Sequence, residues 1–292
     1  MRAALRSSAV KLLRVGLQVS GGRVRGLVAE ALTTDGKNLQ EVVERVESPR
    51  GTISFHCLGE LPLWRARTLL TKEPETIEWI DSFEAGDTYW DVGANIGIYS
   101  LYAAISRKVR VLAFEPSASN YLLLNRNIEL NGLAEHLQAY CLAFSDVTRL
   151  DRLNMLSTEF GGALSSFGIA VDNFGNEFKP RFQHGAIGFS IDGFVDCFKP
   201  PFPNHIKIDV DGIEDRIIAG ATVTLNDPRL KSISIELDDS RPDFTKAVSA
   251  AIEAGGLMFV GKRHGEMFQT GRYKDLYNYQ FRRMRGAEKT QS

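Results

Sequence analysis

The sequence predicts an α/β fold. It has a mostly parallel, seven-stranded sheet with helices on both faces and an antiparallel strand at the C-terminal edge. Two observations carry this. From residue 88 onward, short strand-like runs alternate with amphipathic runs of helical period. The last two strand-like runs, 257–262 and 276–283, are joined by residues 263–275 with no helical pattern, and a short link suits antiparallel neighbours.

The elements follow in order. Strand 88–92 runs through a glycine-containing loop into helix 98–106. Strand 109–115 precedes helix 117–131, for which Asn131-Gly132 is a C-terminal stop. After strand 137–143, residues 144–190 break the rhythm with many glycines and phenylalanines. A loop this long is usually functional or mobile. Helix 191–198, strand 205–209, helix 213–220, strand 231–237 and helix 243–254 then resume the alternation. Upstream, 1–20 and 60–84 read as helical, with one or two short strands in 39–58. The expected division is an N-terminal extension, 1–84, and a main domain, 85–292, carrying an insert or lid at about 147–190.

Composition excludes several classes. Of 292 residues 43% are hydrophobic and 24% charged, with a net charge of -1. No bulk electrostatic case exists for nucleic acid or an anionic membrane. No apolar run approaches the roughly 20 residues of a membrane span. Cys57, Cys141 and Cys197 are too sparse for a disulfide framework or a thiolate zinc site, so a reducing cytoplasm is expected. Residues 1–29 carry six Arg and Lys and no acid. Leu5, Ala9, Leu12, Leu13 and Leu17 share one helical face. An N-terminal helix packed on the domain or on a partner subunit is the plainer reading, and a transit-like or interfacial helix the alternative.

The loop after the first core strand, 91-DVGANIG-97, raises the question of its ligand. A dinucleotide fingerprint needs glycine where Asn95 and Ile98 stand, and the P-loop pattern is absent. Asp91 ends this strand, and Glu115 ends the next, where a carboxylate accepts both ribose hydroxyls. Two carboxylates repel a pyrophosphate. They suit a ligand with a ribose, an ammonium and a positive centre, which describes S-adenosylmethionine.

The strings D-V-G-A-N-I-G-I-Y-S, F-E-P, N-R-N-I-E-L-N-G-L, A-F-S-D, I-K-I-D-V-D-G-I-E-D and I-S-I-E-L resemble the FkbM-type S-adenosylmethionine-dependent methyltransferases, over about residues 75 to 283. The resemblance implies a Rossmann-like class I methyltransferase sheet and methyl transfer, usually to a hydroxyl of a sugar or polyketide-like natural product. It implies that Asp91, Gly93, Asn95 and Gly97 line the methionine end of the cofactor. Glu115 would hold the ribose, with Asp146 and Ser145 near the adenine. Asp211 stands where the family often has Glu, keeping the charge with a shorter reach.

For chemistry, 205-HIKIDVDG-212 delivers Asp209 and Asp211 to the carboxyl edge of the sheet, where ligands of such sheets bind. Asp209 is the first choice as general base or acceptor orienter. Lys207 lies on the same strand face and is expected to pair with Asp209 or Glu236. His205 has the better intrinsic pKa but begins the strand, at its far end. Asp209, Asp211 and Glu236 are oxygen donors of the type Mg²⁺ accepts, yet such acids also mark sites without metal, and none is expected. Phe160, Phe167, Phe174, Phe178 and Phe189 are expected to cover a small-molecule or carbohydrate acceptor. The competing readings are a degenerate, non-catalytic subunit of the same fold and an NAD(P)-linked oxidoreductase.

Overall fold

The structure, a computed structural model, describes residues 42–284. The expected helix at 1–20, and the oligomer contact assigned to it, lie outside the described residues. The chain's contacts divide after Val43 rather than after 84. A hairpin of β1 (Val43–Ser48) and β2 (Gly51–His56) leads to helices α1 (Glu60–Arg67) and α2 (Pro74–Asp81). The single helix expected over 60–84 is thus two, restarted by Pro74 at the first turn of α2. Ile53, Phe55, Leu69, Trp79 and Ile80 are buried in the same core as Leu101 and Leu124 of the main domain. Residues 44–84 are therefore part of that unit, not an appendage.

The main sheet contains β3 (Thr88–Val92), β4 (Arg110–Phe114), β5 (Leu137–Tyr140), β10 (His205–Ile208), β11 (Ser232–Asp238), β12 (Met258–Arg263) and β13 (Leu276–Arg282). Their order is β12-β13-β11-β10-β3-β4-β5. β13 runs antiparallel to both β11 and β12. The reversed strand is thus second from the edge, and β12 is the edge strand. The link after β12 holds only the short 3₁₀ turn Glu266–Phe268 and no crossover helix, and β13 folds back antiparallel into the gap beside β11.

Helices α3 (Ile98–Arg107) and α4 (Ala118–Leu130) share one core cluster with α2. α5 (Ile191–Phe198), α6 (Glu214–Ala219), α7 (Thr222–Asn226) and α8 (Pro242–Ala254) share another. Every residue of β3 is buried, as a central parallel strand requires. Tyr89 packs with the first cluster, Trp90 and Val92 with the second. Trp90, Phe114, Phe144 and Phe194 form an aromatic group with centroid separations of 4.7–6.1 Å.

The insert is not one continuous loop but carries three strands. β6 (Ala143–Phe144), β7 (Arg149–Met155), β8 (Ser165–Phe167) and β9 (Phe182–Phe189) form a second, four-stranded sheet in the order β6-β9-β7-β8. Leu153, Met155 and Phe167 give it a small core with Ala143 and Ile213.

Candidate functional site

A cavity of about 750 Å³ lies at the carboxyl ends of β3, β4, β10 and β11. It brings together most of the residues singled out in the sequence. Asp91, Gly93, Asn95, Glu115, Lys207, Asp209, Asp211 and Glu236 all line it. Gly97 sits behind the wall.

The loop's shape follows from its glycines. Gly93 has φ +85°, and a Cβ there would stand 2.0 Å from the Asp209 carbonyl oxygen. Only glycine lets the β3 turn pass so close to the end of β10. Gly97, at φ +87°, starts α3 in the left-handed region, and a Cβ would meet Leu124 and Leu101 within 2.6 Å. Asn95 also has positive φ, at 52°, a conformation Asn tolerates better than most residues.

Glu115 is held rather than free to swing. Its Oε2 accepts from the Asn95 backbone N–H and its Oε1 from that of Ser117, each at 2.8 Å. Burial pushes its carboxyl up to about 7, against the lowering effect of these two amides. Asp91 accepts from the Ser100 hydroxyl at 2.5 Å, and burial raises its pKa too.

The opposite end is a cluster of charge. Lys207, 1% exposed, donates to Asp209 Oδ2 at 2.5 Å and lies 3.7 Å from Glu73. It is the cross-strand neighbour of Asp91. Burial lowers a lysine's pKa, but Asp209, Glu73 and Asp91 outweigh that and hold Lys207 protonated. Lys72 donates to Glu73 at 2.5 Å. Burial works to raise Glu73, yet Lys72 and Lys207 together hold it below the ordinary carboxylate range. Glu236 rises to about 8, from burial and then from Asp209 and Glu73. Carboxylate oxygens of Glu73, Asp209 and Glu236 lie within 4.8 Å of one another. That spacing suits an oxygen-ligated cation, but two ammonium groups already stand there.

The insert crosses the cavity and is tied down. Gly162 accepts from the side chains of Asn95 at 2.8 Å and Asn120 at 3.0 Å. Gly161 donates to Asn120 and accepts from Arg65. Asp211 accepts the Ser165 N–H at 2.9 Å, and burial raises its carboxyl to about 6. Asp211 thus holds the insert as well as facing the cavity.

Several expectations need correction. Ser145 and Asp146 do not line the cavity. Ala143 and Phe144 join the second sheet as β6, and the Ser145 N–H continues that pairing to Phe189. The Ser145 hydroxyl is spent on Asp146, which lies near Arg149. None of the five insert phenylalanines lines the cavity. Phe167 and Phe189 are buried in cores, and Phe174 only backs Tyr273, which does line it. His205 begins β10, as expected, at the end far from the cavity. It is buried between Ser232 at 2.7 Å and Asp87 at 2.9 Å, away from the cavity.

Sequence reasoning missed Glu73, Arg65, Asn120, Asn173 and Asn278. Each reaches the cavity through tertiary packing. The nearest signal was Asn278, one of two amides, with Gln280, within the strand run LYNYQF.

A family model described as the methyltransferase FkbM domain matches residues 91–270. The hexuronic acid methyltransferase AglP of Haloferax volcanii is 25% identical over 189 residues, 65% of this chain and 72% of that protein. A methyltransferase FkbM structure from Methylobacillus flagellatus KT aligns with 18% identity and a TM-score of 0.47, covering 68% of this chain and 44% of that one. A precorrin-6y C5,15-methyltransferase from Geobacter metallireducens aligns with 15% identity and a TM-score of 0.41, covering 72% and 87%.

Proposed function

The chain belongs to the FkbM methyltransferase family, whose cofactor is S-adenosylmethionine, and from that premise we propose that it methylates a hydroxyl of a sugar or natural-product acceptor. The observation that carries this is one cavity joining the β3 loop and Glu115 to the carboxylates of Asp209 and Glu236. The first pair fits a ribose and a methionine end, the second a hydroxyl that must lose its proton.

Bound cofactor supplies the activated methyl group. The protein's part is to orient, exclude water and take a proton. Asp91, Gly93 and Asn95 face the methionine end, with Gly97 setting the loop's course, and the Glu115 oxygens accept the ribose hydroxyls. Ser145 and Asp146 stand apart from this pocket, so adenine recognition falls to its other walls. The insert, tethered through Asn120 and Asp211, shields the centre. Fixed geometry of this kind contributes up to roughly 7–11 kcal/mol in well-oriented systems.

Asp209, held by Lys207, orients the acceptor hydroxyl, and either Asp209 or Glu236 accepts its proton. Glu236, at about 8, is protonated in most molecules at pH 7 and takes the proton only in its ionised fraction, so turnover that uses it rises toward pH 8. Asp209→Asn and Glu236→Gln should each lower kcat by about 10²–10⁴-fold with cofactor affinity preserved. Release of S-adenosylhomocysteine in the presence of polyol acceptors measures this. Undiminished turnover in both variants contradicts the assignment. Cofactor binding without turnover across neutral, amino and acidic polyols favours the degenerate subunit.

A further inference from the structure

Beyond the cofactor half, the cavity wall carries information about the acceptor's charge. The Oδ1 atoms of Asn173 and Asn278 are buried and have no donor among the described residues. Both residues line the cavity beside Glu236. Asn173 Nδ2 donates to Glu236 at 3.4 Å. Asn278 faces Glu236 across the β11–β13 register and spends its Nδ2 on Glu75 at 2.8 Å. Lys207 takes Oδ2 of Asp209, leaving Oδ1 without a donor among the described residues. The unmet groups beside Glu236 are therefore oxygens awaiting hydrogen-bond donors, while the Tyr99 hydroxyl, also unpartnered in the lining, lies by Lys207 and Glu73.

Charge points the same way. Lys72 and Lys207 are already paired with Glu73 and Asp209, so neither is left to pair a substrate carboxylate. Arg65, the remaining Arg or Lys of the lining, is bonded to the Gly161 carbonyl and acts electrostatically on Glu115 and Asp211, on the cofactor side. The environment already resists a third negative charge at Glu236, whose carboxyl holds its proton to about pH 8. A substrate carboxylate placed there meets the same field and brings no donors. Phe268 and Tyr273 add apolar ring faces to the lining, with Phe174 stacked behind Tyr273 at 6.0 Å.

Building on the methyl-transfer reading above, we propose that the acceptor is a neutral or amine-bearing polyol, such as a neutral or amino sugar, and not a uronate. The donors of such a ring meet Asn173, Asn278, Asp209 and Glu236. The relative named for a hexuronic acid would then differ from this chain in acceptor charge.

Three matched probes test this with the full chain: p-nitrophenyl β-glucoside, its 2-amino-2-deoxy analogue and the β-glucuronide. Methyl transfer from labelled S-adenosylmethionine is followed for each. Calorimetric titration with each glycoside is run with and without cofactor, so the charge preference is read even where transfer fails. The expected result is a kcat/KM or affinity at least ~100-fold higher for the glucoside or amino sugar than for the glucuronide. Equal or better use of the glucuronide overturns the proposal. Cofactor binding with no response to any glycoside also overturns it, while the methyl-transfer reading stands. Failure to bind cofactor sinks that reading instead, and the glycoside titrations still decide the charge preference.

Discussion

Replacing Glu115 by glutamine should uncouple cofactor affinity from pH. In the free protein, burial raises this carboxyl from 4.5 to about 7 against the Asn95 and Ser117 amides. At ~1.4 kcal/mol per pH unit, that rise corresponds to roughly 3 kcal/mol. Its sign is destabilising. Below about pH 4.5 the group is protonated in folded and unfolded chains alike. As pH climbs toward 7 the unfolded chain ionises first, so stability is progressively lost. The thermal midpoint of the free protein should fall between pH 5 and 8 by on the order of 5 °C more in wild type than in Glu115→Gln.

Ribose hydroxyls donate to the ionised form, so cofactor affinity has the opposite trend. It should weaken by up to ~10-fold per pH unit below 7 in wild type. In the variant it should be nearly flat, and at pH 8 lower by ~10–100-fold, the worth of a hydrogen bond to a charged group. Calorimetric titration with S-adenosylmethionine at pH 5.5, 6.5, 7.5 and 8.5 reads this directly. Wild-type affinity independent of pH, or a variant that tracks it, would refute the placement of the ribose on Glu115.

Three further outcomes are expected. Gly93→Ala combines a forbidding φ of +85° with a Cβ 2.0 Å from the Asp209 carbonyl. It should cost ~2 kcal/mol or more by urea unfolding and abolish cofactor binding. Excess EDTA should leave turnover unchanged, because Lys72 and Lys207 already neutralise Glu73 and Asp209, and a chelator-sensitive rate restored by Mg²⁺ would contradict this. Asn120→Ala removes the bonds to Gly161 and Gly162, so limited proteolysis within residues 157–165 should accelerate several-fold if local opening governs cleavage.

What the sequence disclosed was local. The β3 loop, Glu115 at the end of β4 and Asp209 after β10 are set by one βαβ rhythm, and strand ends in such a sheet converge by topology. Lys207 was legible because a mid-strand lysine needs a partner, and Asp209 is two residues away. What failed was non-local. Ser145 and Asp146 follow β5 in sequence, but pairing of β6 with β9 carries them into a second sheet. The phenylalanines of the insert resembled a lid in composition, yet Phe167 and Phe189 build cores. Glu73 precedes the first core strand by 15 residues and reaches Lys207 only because α2 packs over α3. The reversed strand was foreseen in direction but lies one position in from the edge, since nothing local says which side of β12 it fills.

The most direct test of the cofactor site is calorimetric titration of the wild-type chain with S-adenosylmethionine and, separately, NAD⁺. Saturable binding of the first at one site, with no heat from the second, is the predicted result. Binding of NAD⁺ alone, or of neither, would contradict the placement of S-adenosylmethionine in the cavity between Gly93, Glu115 and Asp209.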